Sequence, residues 1–424
     1  MTPRVVVVYA ASKHLLRESA VCRARSEVPG TWNSTPCDFG QRAVHSPLPI
    51  QTARRRIAIA AGGTAGHVYP AWAVAEACSR MNGTVEVIFF APEENLEQRL
   101  LTDRGFQLQR LQSSPLVGVP WRRKPLALFE LVRSCVRARS MLRACGAEVV
   151  FGFGGYASVA LVTAAWSLGL RTAIFELNWS AGLANRILGR LVDRVYLAHH
   201  DAQADFPAGR CMLIGSPVRP DVAALAGEQR RSPPDPRRVH VLVTGGSLGS
   251  SFLNTHASEL LSALQRDGIG IEAYHQTGRE DANLVSERYQ RAGVSARTTS
   301  YIEDISSAYR WADFAIACAG AATLSELAAA GIPVLLVPSR SAARNHQLPN
   351  AQAFAATTGC LWATEDGWDT DVLSRTIAPM LRSPQEWLKA SRGMRRAAIP
   401  NAVDVLAEDW CGFLRADTID RAAT

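Results

Sequence analysis

The chain has 424 residues, 47% hydrophobic and 20% charged, a composition that excludes a disordered protein and allows two domains with full cores. The net charge of +8 suggests nucleic acid until it is located. Residues 1–56 hold nine basic side chains against Glu18, Glu27 and Asp38, so +6 lies there, the remaining body is nearly neutral, and no nucleic-acid partner is expected.

Residues 1–56 lack helical or strand periodicity after a short apolar run and are rich in Arg, Ser and Pro, as in a poorly ordered basic extension. The run at 5–11 is too short for a secretory signal. The nine cysteines are scattered without a CxxC pair. Cys78, Cys135 and Cys318 sit in apolar or helical runs, as reduced thiols of a cytoplasmic protein do.

A short buried strand over 57–61 leads into Gly62-Gly63-Thr64-Ala65-Gly66-His67, and a helix is expected over 71–80. A glycine-rich turn there lets a ligand approach the backbone, although a tight turn without a ligand has the same pattern. It is neither a GxGxxG fingerprint nor a P-loop. After a strand over 85–90, Glu93, Glu94 and Glu97 read as a solvated helix start. Trp121, Arg122, Arg123 and Lys124 then adjoin the apolar face of Leu126, Leu128, Phe129 and Val132. This combination suits an anionic membrane surface, and equally an ordinary amphipathic helix behind a charged loop. The uncharged run 149–170 is long enough to span a bilayer, but Gly152, Gly154, Gly155 and Tyr156 divide it into a buried strand, a turn and a buried helix. Further strands are expected over 173–176, 194–198 and 212–214.

A boundary follows at 215–220 and at the proline-rich 232–238. The pattern then restarts, with a strand over 239–244, the turn Gly245-Gly246-Ser247-Leu248-Gly249-Ser250, and strands over 271–276, 296–301, 314–317 and 334–337. Alternating strands and helices imply parallel, doubly wound sheets whose ligands lie beyond the strand C-termini. The fold class is therefore α/β, with two Rossmann-like domains facing across a cleft. The divisions are a basic extension (1–56), an N-terminal domain (57–217), a linker (218–237), a C-terminal domain (238–395) and a helical tail (396–424) that packs back across the hinge. At 318–326 an apolar run meets a Gly-Ala turn, and Thr323, Ser325 and Glu326 open a helix. Free N–H groups there suit a phosphate, and a carboxylate one turn in suits the hydroxyls of a ribose.

With these motifs in order, the chain resembles the MurG family of GT-B glycosyltransferases, which add N-acetylglucosamine to undecaprenyl-pyrophosphoryl-muramoyl pentapeptide to form lipid II. Residues 62–67 are similar to the family's GGTGGH, 151–158 to its GxGGYxS loop, 176–182 to EQNxxAG and 215–219 to GNPVR. Residues 245–249 resemble GGSQG, 275–278 HQTG, 301–305 FIDDM, 319–326 SGALTxSE and 345–350 NHQxxN. The resemblance implies a donor site in which Ile302 contacts uracil through its backbone and Glu326 the ribose. Ser247 and Ala321-Ala322-Thr323 would meet the pyrophosphate, with Arg219 near the nucleotide. Thr323 and Gln347 would reach the sugar hydroxyls and Asn178 the N-acetyl side, and Thr64, Ala65, Gly66, Leu324 and Ser325 complete the donor set. Gly62, Gly63, Gly154, Gly155 and Tyr156 fall on the acceptor side.

The implied reaction is an inverting transfer from UDP-N-acetylglucosamine, without a metal or other cofactor, at the cytoplasmic face of the bacterial plasma membrane. Its partners would be the UDP-sugar, a lipid-linked acceptor and the anionic inner-membrane surface. His67 is the candidate general base, or else orients the loop or the acceptor phosphates, and Glu176 is a weaker candidate. The sequence departs from the family at Ala65, Leu177, Ser216, Leu248, Ala319 and Ala322. Ala65 adds a methyl group that strains the turn if its φ is positive. A paralogous transferase with another acceptor, a UDP-N-acetylglucosamine 2-epimerase and a catalytically dead nucleotide-sugar binder are the alternatives.

Overall fold

A computed structural model describes residues 55–62, 65–81, 85–92, 101–112, 120, 122, 124–228, 232–341 and 346–420, with side chains to residue 414. The expectations at Gly63, Thr64, the Ala65 side chain, Glu93, Glu94, Glu97, Trp121, Arg123 and Asn345 lie outside the described residues, as does the extension before Arg55.

The N-terminal sheet contains β1 (Arg55–Ala60), β2 (Val85–Ala91), β3 (Gln107–Arg110), β4 (Val149–Gly152), β5 (Arg171–Glu176), β6 (Arg194–Leu197) and β7 (Cys211–Leu213) in the order 3-2-1-4-5-6-7. The second sheet contains β8 (Val239–Thr244), β9 (Ile271–Gln276), β10 (Ser295–Thr299), β11 (Phe314–Ala317), β12 (Val334–Leu336) and β13 (Leu361–Trp362) in the order 10-9-8-11-12-13. Every strand pair within the two sheets is parallel. Each sheet thus has the dinucleotide-fold order 3-2-1-4-5-6, with a switch point beside its first strand. Strands such as Ile57-Ala58-Ile59-Ala60 are covered on both faces, which explains their unbroken apolar character.

The polar QLQR of β3 and the two-residue β13 are edge strands with too little apolar content to read from sequence. Strand β1 takes in Arg55 and Arg56, whose charges are met by Glu148 and Glu86. Helix α1 (Ala65–Met81) starts six residues before the expected 71 and carries Pro70 inside it. The proline forgoes one backbone bond, to the carbonyl of Gly66, and the helix continues through it. His67 and Tyr69 therefore sit on a helix.

Helix α2 (Lys124–Cys145) packs through Leu142 and the small residues Ala127, Ser134, Ala138 and Cys145. The face expected to be apolar points outward: Leu126, Leu128, Phe129, Val132 and Val136 are 54–65% exposed. Helix α3 (Tyr156–Ser167) and the short α4 (Leu183–Leu188) complete the N-terminal layers. After α5 (Pro220–Ala223), the second domain uses α6 (Ser251–Arg266), α7 (Ala282–Arg291), α8 (Ile305–Trp311), α9 (Ala321–Ala330), α10 (Gln347–Thr358), α11 (Thr370–Arg382) and α12 (Pro384–Arg396). The chain then crosses back. Helix α13 (Ala402–Asp420) places Val403, Leu406, Ala407, Trp410 and Phe413 in the core of the first domain, where Trp410 stacks on Phe151.

Candidate active site

Two glycine turns form the N-terminal wall. Gly154 and Gly155 have φ of +106° and +78°, open to glycine at little cost. They also leave no room for side chains. A Cβ on Gly155 would lie 2.7 Å from the Gly62 carbonyl oxygen, and one on Gly154 would lie 2.7 Å from the His67 ring. Ser158 Oγ donates to the Gly154 carbonyl (2.6 Å) and accepts from its N–H (3.1 Å), tying the turn down. The cap residue of α3, Gly155, supplies no side-chain bond to the helix start, where Tyr156 is half-buried. Burial, then the charge of His346 at the start of α10, holds the His67 imidazole down to about 4.

Beyond β5, both oxygens of the buried Glu176 are engaged. Oε1 accepts from the Asn178 N–H and Nδ2 (2.9 Å each), and Oε2 from the Gly182 N–H (3.0 Å) and Asn185 Nδ2 (2.9 Å). Four donors fill its lone pairs, so Glu176 organises its own loop and has no capacity left to serve as a base. The loop is bound to the second domain through the fully buried Asn350. Asn350 Oδ1 accepts from the Trp179 N–H (3.2 Å), while its Nδ2 donates to Asn178 Oδ1 (3.1 Å) and the Ala319 carbonyl (3.2 Å).

Helix starts make the C-terminal wall. Helices α6, α7, α8, α11 and α12 are capped by the side chains of Ser250, Asp281, Asp304, Asp369 and Ser383. The two helices that carry expected donor residues, α9 and α10, begin at Gly320 and His346 with no side-chain cap. Their first N–H groups are left for another partner. Thr323 Oγ1 lies beside the α9 start, 3.7 Å from where a Gly320 Cβ would be. Gln347 Oε1 accepts from the Ala319 (3.1 Å) and Ser339 (2.9 Å) N–H groups, which leaves its NH2 as the group to offer a ligand. Ser247 is half-buried in its turn and Ala322 half-buried in the first turn of α9, and Ala321 packs into the core cluster of the first domain.

Arg219 and Glu326 form a buried pair between linker and wall, with Arg219 Nε and Nη2 both 3.0 Å from Glu326 Oε1. Tyr309 donates to Glu326 Oε2 at 2.9 Å. The guanidinium lies 4.1 Å from the ring centre of Tyr69, and the Tyr69 hydroxyl hydrogen-bonds that of Tyr301 across the cleft. Burial works against the charge of Arg219 but is outweighed by Glu326, so the guanidinium stays protonated.

Several expected contacts are altered. The Leu324 side chain is fully buried in the core behind α9 and cannot touch a ligand. Ser325 Oγ donates to the Ala321 carbonyl (3.1 Å) and borders a cavity of about 20 Å³ at the hinge, beside Ser216 and His199. The Ile302 N–H is already bonded to Gln276 Oε1 (3.1 Å), which leaves its carbonyl for a base. Tyr69, Tyr301, Tyr309, His346 and Asn350 were not among the expected site residues. A polar Asn one turn after Gln347 and a Tyr two residues after His67 were the available signals. Among the described residues, no group of three or more His, Cys, Asp or Glu side chains is arranged to hold a metal.

Residues 57–197 match the glycosyltransferase family 28 N-terminal domain and residues 240–406 its C-terminal domain. The chain is 37% identical over 349 residues to a UDP-N-acetylglucosamine–N-acetylmuramyl-(pentapeptide) pyrophosphoryl-undecaprenol N-acetylglucosamine transferase of Magnetococcus marinus, covering 82% of this chain and 94% of the relative. The protein of the same name from Acidithiobacillus ferrooxidans is 36% identical, with coverage of 83% and 96%. Among solved structures, Acinetobacter baumannii MurG aligns with a TM-score of 0.65 and 27% identity, over 84% of this chain and 98% of that one.

Proposed function

The chain belongs to the MurG family of family 28 glycosyltransferases, and from that premise we propose how its cleft carries out the reaction. It is a UDP-N-acetylglucosamine-dependent glycosyltransferase that transfers N-acetylglucosamine to the lipid-linked muramyl-pentapeptide acceptor, the step that forms lipid II for peptidoglycan. The observation that carries the site reading is the pair of uncapped helix starts, α9 and α10, in a domain whose other described caps are filled by side chains. Free N–H groups and the positive ends of two helix dipoles favour the pyrophosphate, most strongly as UDP departs and its charge grows. Ala321, Ala322 and Thr323 supply the first start and Gln347 the second. Glu326 takes the ribose, Ile302 offers its carbonyl to the uracil, and Asn178 and Thr323 flank the sugar.

The transfer is a single displacement with inversion. The acceptor hydroxyl oxygen bonds to the anomeric carbon as the bond from that carbon to the pyrophosphate oxygen breaks, and the electron pair leaves with UDP. The hydroxyl proton passes to His67. With its pKa held down to about 4, His67 is neutral at physiological pH and able to accept it, and neighbouring substrate phosphates raise its basicity. The outward apolar stripe of α2, flanked by Arg133 and Arg137, rests on the anionic membrane surface that carries the acceptor.

The test is UDP release from UDP-N-acetylglucosamine with and without a lipid I analogue. Acceptor-dependent release is expected, whereas formation of the manno epimer, or binding without turnover, would overturn the reading. His67→Ala is expected to lower kcat by ~10²–10⁴-fold. Unchanged turnover at saturating substrates would remove His67 as the base.

A further inference from the structure

Among the described residues, Glu326 accepts hydrogen bonds at Oε1 from Arg219 Nε and at Oε2 from Tyr309, and Arg219 Nη2 forms an ion pair with Oε1 at 3.0 Å. A carboxylate offers about four lone-pair directions, so the one left open is at Oε2, beside the phenol. We propose that Tyr309 is a positioning residue for the nucleotide: with Arg219 it locks the Glu326 carboxylate so that its open lone pair meets a ribose hydroxyl. This rests on the reading of Glu326 as the ribose partner and extends it to a residue that touches no substrate.

Three observations support the assignment. Tyr309 is 1% exposed, and burial, then the nearby Glu326 charge, raises its phenol well above the ordinary range, so the hydroxyl keeps its proton and donates. A free carboxylate rotates between two-fold-related positions, whereas this one is held by donors on both oxygens. Tyr309 also lies on the seven-residue helix α8, whose cap Asp304 stands two residues after Ile302 and accepts from the Ser307 N–H (3.0 Å). One short rigid helix therefore joins the base contact at its start to the ribose contact near its end. Removing the hydroxyl leaves Oε2 without its protein donor while the aromatic packing is retained.

The experiment measures binding of UDP and of 2′-deoxy-UDP to the full chain and to Tyr309→Phe by calorimetry. Wild type is expected to favour UDP by ~10-fold or more, the factor that a hydrogen bond to a charged group supplies. In Tyr309→Phe, UDP affinity is expected to fall ~5–10-fold while that for the deoxy nucleotide changes less than ~2-fold, so the preference collapses. A variant that binds UDP more weakly yet keeps the full preference overturns the positioning role. A wild type with no preference overturns the ribose reading itself, and the proposal with it. Should Tyr309→Phe not fold, a crystal structure of the wild type with UDP decides. A ribose hydroxyl and the Tyr309 hydroxyl together at Glu326 Oε2 support the proposal, and a Tyr309 that has left Glu326 refutes it.

Discussion

Glu176 and Glu326 are both buried carboxylates near the C-terminal ends of strands, and their neighbours give them different roles. Glu176 is surrounded by four donors from its own loop, while Glu326 keeps a lone pair open between Arg219 and Tyr309. Sequence position separates the two poorly, because the difference lies in residues up to 107 positions away. Leu324 makes the same point: it lies inside a legible motif, yet the helix turns its side chain into the core. Histidines supply a prediction at this scale. Burial, then the Arg288 charge, lowers His275 to about 3, burial alone lowers His199 to about 3, and His67 stands at about 4. All three folded-state values lie below the unfolded ~6.5, so below that pH the unfolded chain binds more protons and the fold loses stability as pH drops. Each group costs ~1.4 kcal/mol per pH unit below ~6.5 until its folded value is reached. Urea midpoints measured from pH 7.5 to 5 are expected to fall, and His275→Gln to reduce the slope by about one proton. A midpoint that rises on acidification would contradict this.

At the scale of the element, the helix starts separate structure from function. Five helices of the second domain are closed by Ser or Asp, which is legible in the sequence as ordinary capping. The α9 start has Gly320 instead, and a side chain there would have space, with Thr323 Oγ1 the nearest atom at 3.7 Å and an ordinary φ of −70°. Gly320→Asp is therefore expected to fold at least as well as wild type, capping the helix with a gain of a few tenths of a kcal/mol up to ~1. It also places a negative charge where the pyrophosphate is proposed to bind. The Kd for UDP is expected to rise ~10-fold or more while the melting temperature holds or increases. Loss of stability with unchanged UDP affinity would mean that this start does not bind phosphate. Helix α1 was misjudged in sequence because Pro70 is a breaker in isolation, and tertiary packing on both sides holds the helix through it.

Over the whole molecule, the chain leaves the first domain, builds the second and returns. Asp409 on α13 receives Arg194 and Tyr196 of β6, and Trp410 fills the core against Phe151, so the final helix belongs energetically to the domain that the chain left first. The hinge itself is tight: a Cβ on Gly215, where φ is +85°, would lie 2.6 Å from Ile399 on the returning segment. Outside these packed layers, α2 keeps an apolar stripe in water with Lys124, Arg133, Arg137, Arg139 and Arg143 against the single acid Glu130. No helix among the described residues is long and apolar enough to cross a membrane, and this face is the one proposed above to rest on the membrane surface. Replacing Leu128, Phe129 and Val132 with Ser is expected to abolish flotation with anionic vesicles while leaving the fold intact, because these side chains are more than half exposed. Flotation unchanged by the triple substitution would rule this face out.

The order of motifs along the chain was enough for the two doubly wound domains and the family. These rest on local rules: alternating apolar runs make buried parallel strands, and glycines with helix starts mark phosphate-binding turns. Tertiary structure alone decided which of these residues can meet a ligand. It closed Glu176 and left Glu326 with an unused lone pair, turned the Leu128 face of α2 to solvent, and brought Tyr69, Tyr301, Tyr309 and Asn350 to the cleft. Those outcomes depend on partners between 2 and 232 residues distant, and a hydrogen bond or a buried face is a property of both sides of a contact.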